Sequence, residues 1–233
     1  MFDRLALLIE KENLNKIMKK KVMVIGIGGV GGSCVLSLIR SGISNIVIID
    51  YDTVDRSNLN RQAVAFNSTI GMKKIDVMEK IILEINDKCC VQKYDLFLNG
   101  DNIKMIFDRE KPDYIIDCCD TRDTKKEIIL EAINRNISFI TSMGTGNKLD
   151  PTKLSITKIK NTINDPLARI FRKWAKDMKI EDKIMVISSS ELPKKTGKIV
   201  SSCSFVPNCA GLLIASYVIN DIIGNKIYMK GRK

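Results

Sequence analysis

The sequence predicts an α/β protein with a Rossmann-like, doubly wound and mainly parallel sheet that carries helices on both faces. Apolar runs of strand length alternate with segments of helical periodicity from residue 21 to residue 142. Strands that are apolar throughout are typical of parallel sheets covered on both sides. A glycine-rich turn after the first run fits the same class. The pattern changes after residue 145, which predicts a C-terminal extension of further strands and helices.

Each element follows from its local pattern. Residues 1–20 form a predicted helical arm, because apolar positions recur at helical spacing over residues 1–18. In the predicted core, 21–145, strands at 21–27, 45–50, 90–97, 114–117 and 137–142 alternate with helices at 29–41, 72–86, 102–109 and 124–134. The extension, 146–233, contains strands at 154–160 and 183–188, a basic helix from Asp165-Pro166 to Met178, a polar mobile loop, and an apolar helix at 207–223. We interpret residues 1–233 as a single domain.

The composition excludes several kinds of chemistry. The 233 residues include no histidine, which removes Ser-His-Asp catalysis, Cys-His catalysis and histidine metal sites. Seven cysteines without a C-x-x-C pattern argue against zinc and fit a reducing compartment. The sequence shows no signal-peptide pattern and no uninterrupted apolar run of about 18 residues, so we expect a cytoplasmic protein with no membrane association. The net charge of +11 favours a polyanionic partner, although a solvated basic surface would explain part of it.

A glycine turn indicates a nucleotide site. Gly26, Gly28 and Gly31 form G-x-G-x-x-G between a predicted strand and a predicted helix, which is the context that this motif requires. The amides and the positive dipole end of such a helix bind phosphate. Asp50 ends the second strand, where an acid hydrogen-bonds a ribose hydroxyl. This arrangement fits ATP, NAD and S-adenosylmethionine equally well.

The polar segments that follow two strands favour a triphosphate. Two cations and several polar side chains come to the same sheet edge as the turn, namely Asp52, Ser57, Asn58, Arg61 and Lys74. A dinucleotide's diphosphate is held mainly by backbone amides, whereas a triphosphate under attack needs cationic side chains. Asp117 and Asp120 follow a later strand at this edge. Asp120 is a candidate Mg²⁺ ligand, and Asp117 has the simpler interpretation of capping a loop.

In this order, the segments GIGGVG, IDYDTVDRSNLNRQ, Lys74 and DCCD resemble the nucleotide motifs of the ubiquitin-activating-enzyme-like superfamily, whose members adenylate carboxylates. The resemblance implies one adenylating domain that binds ATP and Mg²⁺, with Asp120 on the metal. The implied ATP-binding residues are Gly26, Gly28, Gly29, Gly31, Asp50, Asp52, Asn58, Arg61 and Lys74. Arg4 resembles the N-terminal arginine that enters the partner's site. The resemblance therefore implies a homodimer in which Arg4, in trans, joins Arg61, Lys74 and Asp120 in catalysis.

Three later segments, SMGTGNKLDPTKL, DPLARIFRKWAK and SFVPNCAGLLIASYVINDI, resemble the tRNA threonylcarbamoyladenosine dehydratases of that superfamily. This branch implies ATP-dependent cyclisation of threonylcarbamoyladenosine next to the anticodon, through adenylation of the threonyl carboxylate. Basic residues of the extension are the candidate tRNA contacts: Arg169, Arg172, Lys173, Lys176, Lys194, Lys195 and Lys198. Cys203 lies where some relatives use a thiol, but an intramolecular cyclisation needs no thioester.

Three other functions stay open at this point. One is an adenylyltransferase that activates the C-terminus of a ubiquitin-like sulfur-carrier protein, against which the absent zinc cysteines and the basic extension argue. The second is an NAD-dependent oxidoreductase, which would need a hydride site beyond the sheet. The third is a non-enzymatic RNA-binding scaffold. The sequence identifies neither a monovalent cation nor a sulfur-transfer partner.

Overall fold

A computed structural model describes residues 1–194, 197 and 199–228. The strands of this part of the chain are β1 (Lys21–Ile25), β2 (Asn45–Ile49), β3 (Cys90–Tyr94), β4 (Tyr114–Asp117), β5 (Ser138–Ser142), β6 (Leu154–Lys158) and β7 (Met185–Ser189). Its α-helices are α1 (Asp3–Ile9), α2 (Lys11–Met18), α3 (Gly29–Arg40), α4 (Lys74–Ile85), α5 (Gly100–Glu110), α6 (Arg122–Asn134), α7 (Pro166–Asp177) and α8 (Phe205–Ile222).

The seven strands form one sheet in the order β3-β2-β1-β4-β5-β7-β6. All neighbouring pairs are parallel except β6 with β7, which is antiparallel. The chain therefore winds outward in one direction from β1 to β3 and in the other direction from β4. Ligands of such sheets bind in the crevice where the winding direction changes, here between β1 and β4 at their carboxyl ends. The predicted doubly wound fold is confirmed.

Both faces of the sheet are covered, as the apolar strands require. Val22 and Val24 of β1 pack with α3, α4 and α8 on one face. Met23 and Ile25 point to the other face and pack with α5 and α6. All four side chains are between 0% and 3% exposed, so hydrophobic burial fixes the strand on both sides. A third cluster places α7 beside α6 and β7, through Ala168 and Phe171.

β1 and β3 are both shorter than the sequence predicts. β1 ends at Ile25 because Gly26 has φ +87°, a left-handed conformation that ends an extended strand. β3 ends at Tyr94, so the predicted strand 90–97 is wrong over its last three residues. Asn99 caps α5 by accepting the amides of Asp101 and Asn102, and the chain must turn before that cap. Residues 96–98 consequently fold over the carboxyl edge of the sheet.

The helix α8 is a core helix that begins two residues before the predicted start. It is 18 residues long with a mean hydropathy of 1.3, enough by length and composition to cross a membrane, but half of it is buried in the protein. It packs on α3, and a Cβ built on Gly211 would lie 2.3 Å from the carbonyl oxygen of Val30. The glycine therefore allows the backbones of the two helices to approach closely. Pro207 is accepted within the first turn, where its missing amide is not needed.

Candidate active site

The glycine turn joins β1 to α3 at the crevice. A Cβ on Gly26 would lie 2.9 Å from the backbone of Cys118, and one on Gly31 would lie 1.8 Å from the carbonyl oxygen of Gly26. Side chains at either position would force the turn, α3 and β4 apart. Gly28 precedes the helix without any side-chain cap, so the first amides of α3 remain available to an anion. Gly26, Gly28 and Gly29 line the adjoining cavity, whereas Gly31, which was predicted to bind ATP, does not.

Asp50 follows β2 beside this turn and is 9% exposed. Its carboxylate accepts the amide of Ile27 at 2.5 Å and that of Asp52 at 2.8 Å. Burial raises the pKa of Asp50, against the opposing effects of these hydrogen bonds and of Lys74. An ionised carboxylate offers about four acceptor positions, so lone pairs remain for a ribose hydroxyl.

The loop after β2 and the start of α4 bring the predicted cations together. Lys74 is 4% exposed, and its ammonium lies 2.7 Å from Oδ2 of Asp52. Asn58 is buried in a short 3-10 turn whose capping box fixes the loop. Nη1 of Arg61 donates to the carbonyl oxygen of Ser57 at 2.8 Å, and no acidic side chain of the described residues pairs with it. Arg61 therefore keeps an uncompensated positive charge at the cavity.

The two acids after β4 have different surroundings. Asp117 is fully buried and lies 2.6 Å from the Lys125 ammonium, and it also accepts the hydroxyl of Thr141 and the amide of Cys119. Burial acts to lower the pKa of Lys125, but the Asp117 carboxylate outweighs this effect and raises it. Asp120 is exposed to the cavity, and its side chain has no hydrogen bond or ion pair with the described residues. Asp117 is thus a loop anchor, and Asp120 is a free carboxylate.

These groups surround one cavity of about 500 Å³. Its walls come from the ends of β1, β2 and β4, the glycine turn, the loop after β2 and the first turn of α4. The predicted residues that line it are Gly26, Gly28, Gly29, Asp50, Asp52, Asn58, Arg61, Lys74 and Asp120. A phosphate cradle, unpaired positive charge and a free carboxylate in one crevice suit a nucleotide triphosphate with a divalent cation.

Sequence reasoning missed several residues of this wall. Leu96, Phe97 and Leu98 form an apolar side of the cavity, where the Phe97 ring meets Tyr51 edge-on at 5.2 Å between centroids. Oε1 of Gln62 is buried without a hydrogen-bond partner among the described residues. An apolar side suits an adenine ring, and an unpaired buried acceptor requires a donor from a ligand or water. The predicted strand 90–97 placed Leu96 and Phe97 within β3, so these side chains were not expected in the cavity wall.

Comparison with known proteins decides the family. Residues 2–227 match the ThiF family. The chain belongs to the ThiF family. The tRNA threonylcarbamoyladenosine dehydratase of Bacillus subtilis (strain 168) is 35% identical over 240 residues, which cover 95% of this chain and 94% of that protein. The adenylyltransferase and sulfurtransferase UBA4 of Vanderwaltozyma polyspora is 38% identical, over 63% of this chain and 32% of that protein.

A solved structure resembles this ThiF-family chain over almost its whole length. It is the crystal structure of E. coli tRNA N6-threonylcarbamoyladenosine dehydratase, TcdA, in complex with ATP. The TM-score is 0.90 at 29% identity, and the match covers 99% of this chain and 96% of that chain. The fold and the extension beyond β5 are therefore shared with a protein that binds ATP.

The basic residues predicted to contact tRNA lie in two places on the ThiF-family fold. Four cations of α7 border a shallow cavity of about 510 Å³ together with Lys160 and Glu181, namely Arg169, Arg172, Lys173 and Lys176. Arg172 is partly committed, because its guanidinium donates to the backbone and hydroxyl of Thr162. Lys194 lies beside a different cavity, and Lys195 and Lys198 lie outside the described residues.

Arg4 and Cys203 do not line the nucleotide cavity of their own chain. Arg4 is exposed on α1, which is separated from α2 by Glu10 at φ +71°. The predicted N-terminal helical arm is therefore present, as two short helices. The thiol of Cys203 points to the carbonyl oxygen of Lys148 at 3.4 Å.

Proposed function

We propose that this chain is an ATP-dependent tRNA threonylcarbamoyladenosine dehydratase of one adenylating domain that works in the cytoplasm, with no membrane association. The observation that carries this proposal is the 35% identity to the Bacillus subtilis dehydratase, over 95% of this chain and 94% of that protein. The cavity adds independent support, because it combines a phosphate cradle, an unpaired arginine and a free carboxylate.

In the proposed reaction, the threonyl carboxylate of the modified base attacks the α-phosphate of ATP and displaces diphosphate. A nucleophile within the modification then attacks the acyl-adenylate, closes the ring and expels AMP, so that the base has lost one water. The carboxylate is already a nucleophile, so the absence of histidine is no obstacle. Arg61 and Lys74 would neutralise charge on the reacting phosphates, and α3 amides would orient them.

Asp120 is the residue proposed to hold Mg²⁺. Magnesium in phosphoryl-transfer sites is bound by one or two carboxylates together with substrate phosphates and water. A single free carboxylate beside a phosphate cradle fits that requirement. When bound, the ion would neutralise phosphate charge and make the diphosphate a better leaving group.

A homodimer with Arg4 in trans is the proposed assembly. Support comes from the position of Arg4 on an exposed N-terminal helix and from the large apolar side chains on that helix. Leu7 and Leu8 are 88% and 81% exposed in the single chain. Exposed large apolar residues on a short helix are typical of a surface that is covered by another molecule.

The decisive experiment is mass spectrometry of tRNA nucleosides after incubation with ATP and magnesium. We expect threonylcarbamoyladenosine to lose the mass of one water and AMP to appear in equal amount. The UBA4 relative favours carrier-protein activation as the second candidate. Diphosphate exchange that depends on a small carrier protein and not on modified tRNA would establish that second function instead.

The α7 cations predict a salt-dependent RNA affinity. The logarithm of the binding constant falls linearly with the logarithm of the salt concentration, and each lost phosphate contact should make this slope shallower by about 0.7–0.9. The double variant Lys173→Ala with Lys176→Ala should therefore make the slope measured with modified tRNA shallower, by about 1.4–1.8. Lys80→Ala with Lys88→Ala removes the same charge from the other side of the sheet as a control. Equal slopes for both double variants would exclude this face as the RNA contact.

The raised pKa of Asp50 predicts how nucleoside binding depends on pH. Protonation removes charge and an acceptor from the carboxyl, so ribose affinity should fall as the pH decreases through the pKa of Asp50. Because that pKa is raised, the fall should begin above the ordinary aspartate value of 3.8. Calorimetry with adenosine, which has no titrating phosphate, measures it at pH values above those at which the adenine ring is protonated. In Asp50→Asn the affinity should be lower by about tenfold and independent of pH in this range, and a persistent pH dependence would contradict the assignment.

A further inference from the structure

A second cavity, of about 820 Å³, adjoins the nucleotide cavity. Three separate chain segments contribute to both cavities. Thr121, Thr145 and Ser202 line the nucleotide cavity, and their close sequence neighbours Arg122, Gly144, Gly146 and Val200 line the second one. The two cavities thus share a wall near the carboxyl ends of β4 and β5.

The shared wall is rigidly built. A Cβ on Gly146 would lie 2.4 Å from the side chain of Val200 and 3.2 Å from the carbonyl oxygen of Ser201, so these loops are in close contact. The amide of Asn147 donates to the carbonyl oxygen of Ser201 at 2.7 Å, and Ser201 returns a hydrogen bond to the Asn147 side chain. Two loops that are far apart in sequence are locked side by side between the two cavities.

The floor of the second cavity contains a neutralised charge pair. The Lys148 ammonium lies 3.0 Å from Asp165 and 2.7 Å from the carbonyl oxygen of Gly144, and both charged side chains are almost fully buried. Asp165 also caps α7 by accepting the amide of Ala168 at 2.9 Å. The pair ties the loop after β5 to α7 and leaves no net charge at the floor.

Free positive charge remains at the rim. Arg122 begins α6, two residues after Asp120, and its side chain has no hydrogen bond or ion pair with the described residues. Arg169 of α7 is likewise unpaired within the described part of the chain, and it borders both this cavity and the basic cavity of α7. A molecule in the second cavity therefore contacts Arg122 on the side of the nucleotide cavity and Arg169 on the side of the basic cavity of α7.

The geometry points to the second cavity as the site of the modified nucleoside, an inference that rests on the proposed function. The reacting carboxylate must reach the α-phosphate, so its carrier must occupy space next to the nucleotide cavity. The volume falls within the range of about 300–1,000 Å³ that is usual for ligand pockets. Arg122 binds the threonyl carboxylate on the nucleotide side. Arg169 binds a backbone phosphate that flanks the modified nucleoside.

Two probes separate these contacts. Free threonylcarbamoyladenosine has the carboxylate but no phosphate, whereas a modified anticodon stem-loop has both. Affinities are measured by calorimetry on the full chain, saturated with an ATP analogue whose bond between the α- and β-phosphates cannot be cleaved. Arg122→Ala should weaken both probes by about tenfold, and Arg122→Lys should restore part of the loss. Arg169→Ala should weaken the stem-loop by about tenfold and leave the free nucleoside unchanged.

Arg40→Ala is the matched control, because it removes one exposed guanidinium at the far end of α3. It should change neither affinity, and all variants should bind the ATP analogue like the wild type. If Arg122→Ala binds the free nucleoside as tightly as the wild type does, this assignment is wrong. It is also wrong if the wild-type protein does not bind the free nucleoside. If modified tRNA is converted normally while these results occur, the cavity assignment fails alone; if it is not converted, the proposed function fails.

Discussion

Asp120→Ala and Arg61→Ala are each expected to reduce AMP release from ATP and modified tRNA by at least about 100-fold, while tRNA affinity stays unchanged. Both side chains line the nucleotide cavity, and neither is paired with an oppositely charged side chain among the described residues. Their charge is therefore available to a ligand and not used to hold the fold. The RNA-contact candidates of α7 lie at a separate cavity, which is why binding of tRNA should persist.

Two neighbouring residues provide matched controls. Asp123 is exposed, pairs with Lys126 on the surface, and does not line the cavity; Arg56 is likewise exposed and outside it. Asp123→Ala and Arg56→Ala should keep the wild-type rate in single-turnover measurements of AMP. If Asp120→Ala and Arg61→Ala also keep it, the nucleotide site has been assigned to the wrong residues.

The elements that the sequence predicted best are those whose pattern is purely hydrophobic. β2 and β4 are buried on both faces, and their continuous apolar runs identify them as interior strands. β3 is half-exposed, and its burial pattern alternates irregularly, so its end could not be located without the Asn99 cap. Boundaries depend on a few hydrogen bonds, and burial determines the existence of an element.

Residues of the candidate site also differ in how well the sequence predicts their position. Gly26, Asp50 and Asp120 lie within three residues of strand ends. Parallel strands bring their carboxyl ends to one edge, so the sequence alone predicts that these residues meet. Thr145, Ser202 and the apolar residues 96–98 reach the cavity through loops whose paths depend on contacts across the fold. The same applies to the second cavity, because its shared wall comes from segments about 25–55 residues apart in the chain.

Lys125→Met should be the most destabilising of these substitutions, lowering the free energy of unfolding by about 3–5 kcal/mol, because it leaves the Asp117 carboxylate buried without its partner. Urea unfolding measures the effect. Lys126→Met removes the neighbouring lysine from a surface pair with Asp123 and should cost only about 0–1 kcal/mol.

The combination of Lys125→Met with Asp117→Asn tests the cause of that instability. Asparagine removes the buried charge and keeps an acceptor for the Cys119 amide, so the double variant should be more stable than Lys125→Met alone. Since the pKa of Lys125 is raised above 10.5, the stabilisation should be complete below that pH and lost only as the pH rises through the higher folded value. A double variant less stable than Lys125→Met would show that packing, and not the unpaired carboxylate, causes the loss.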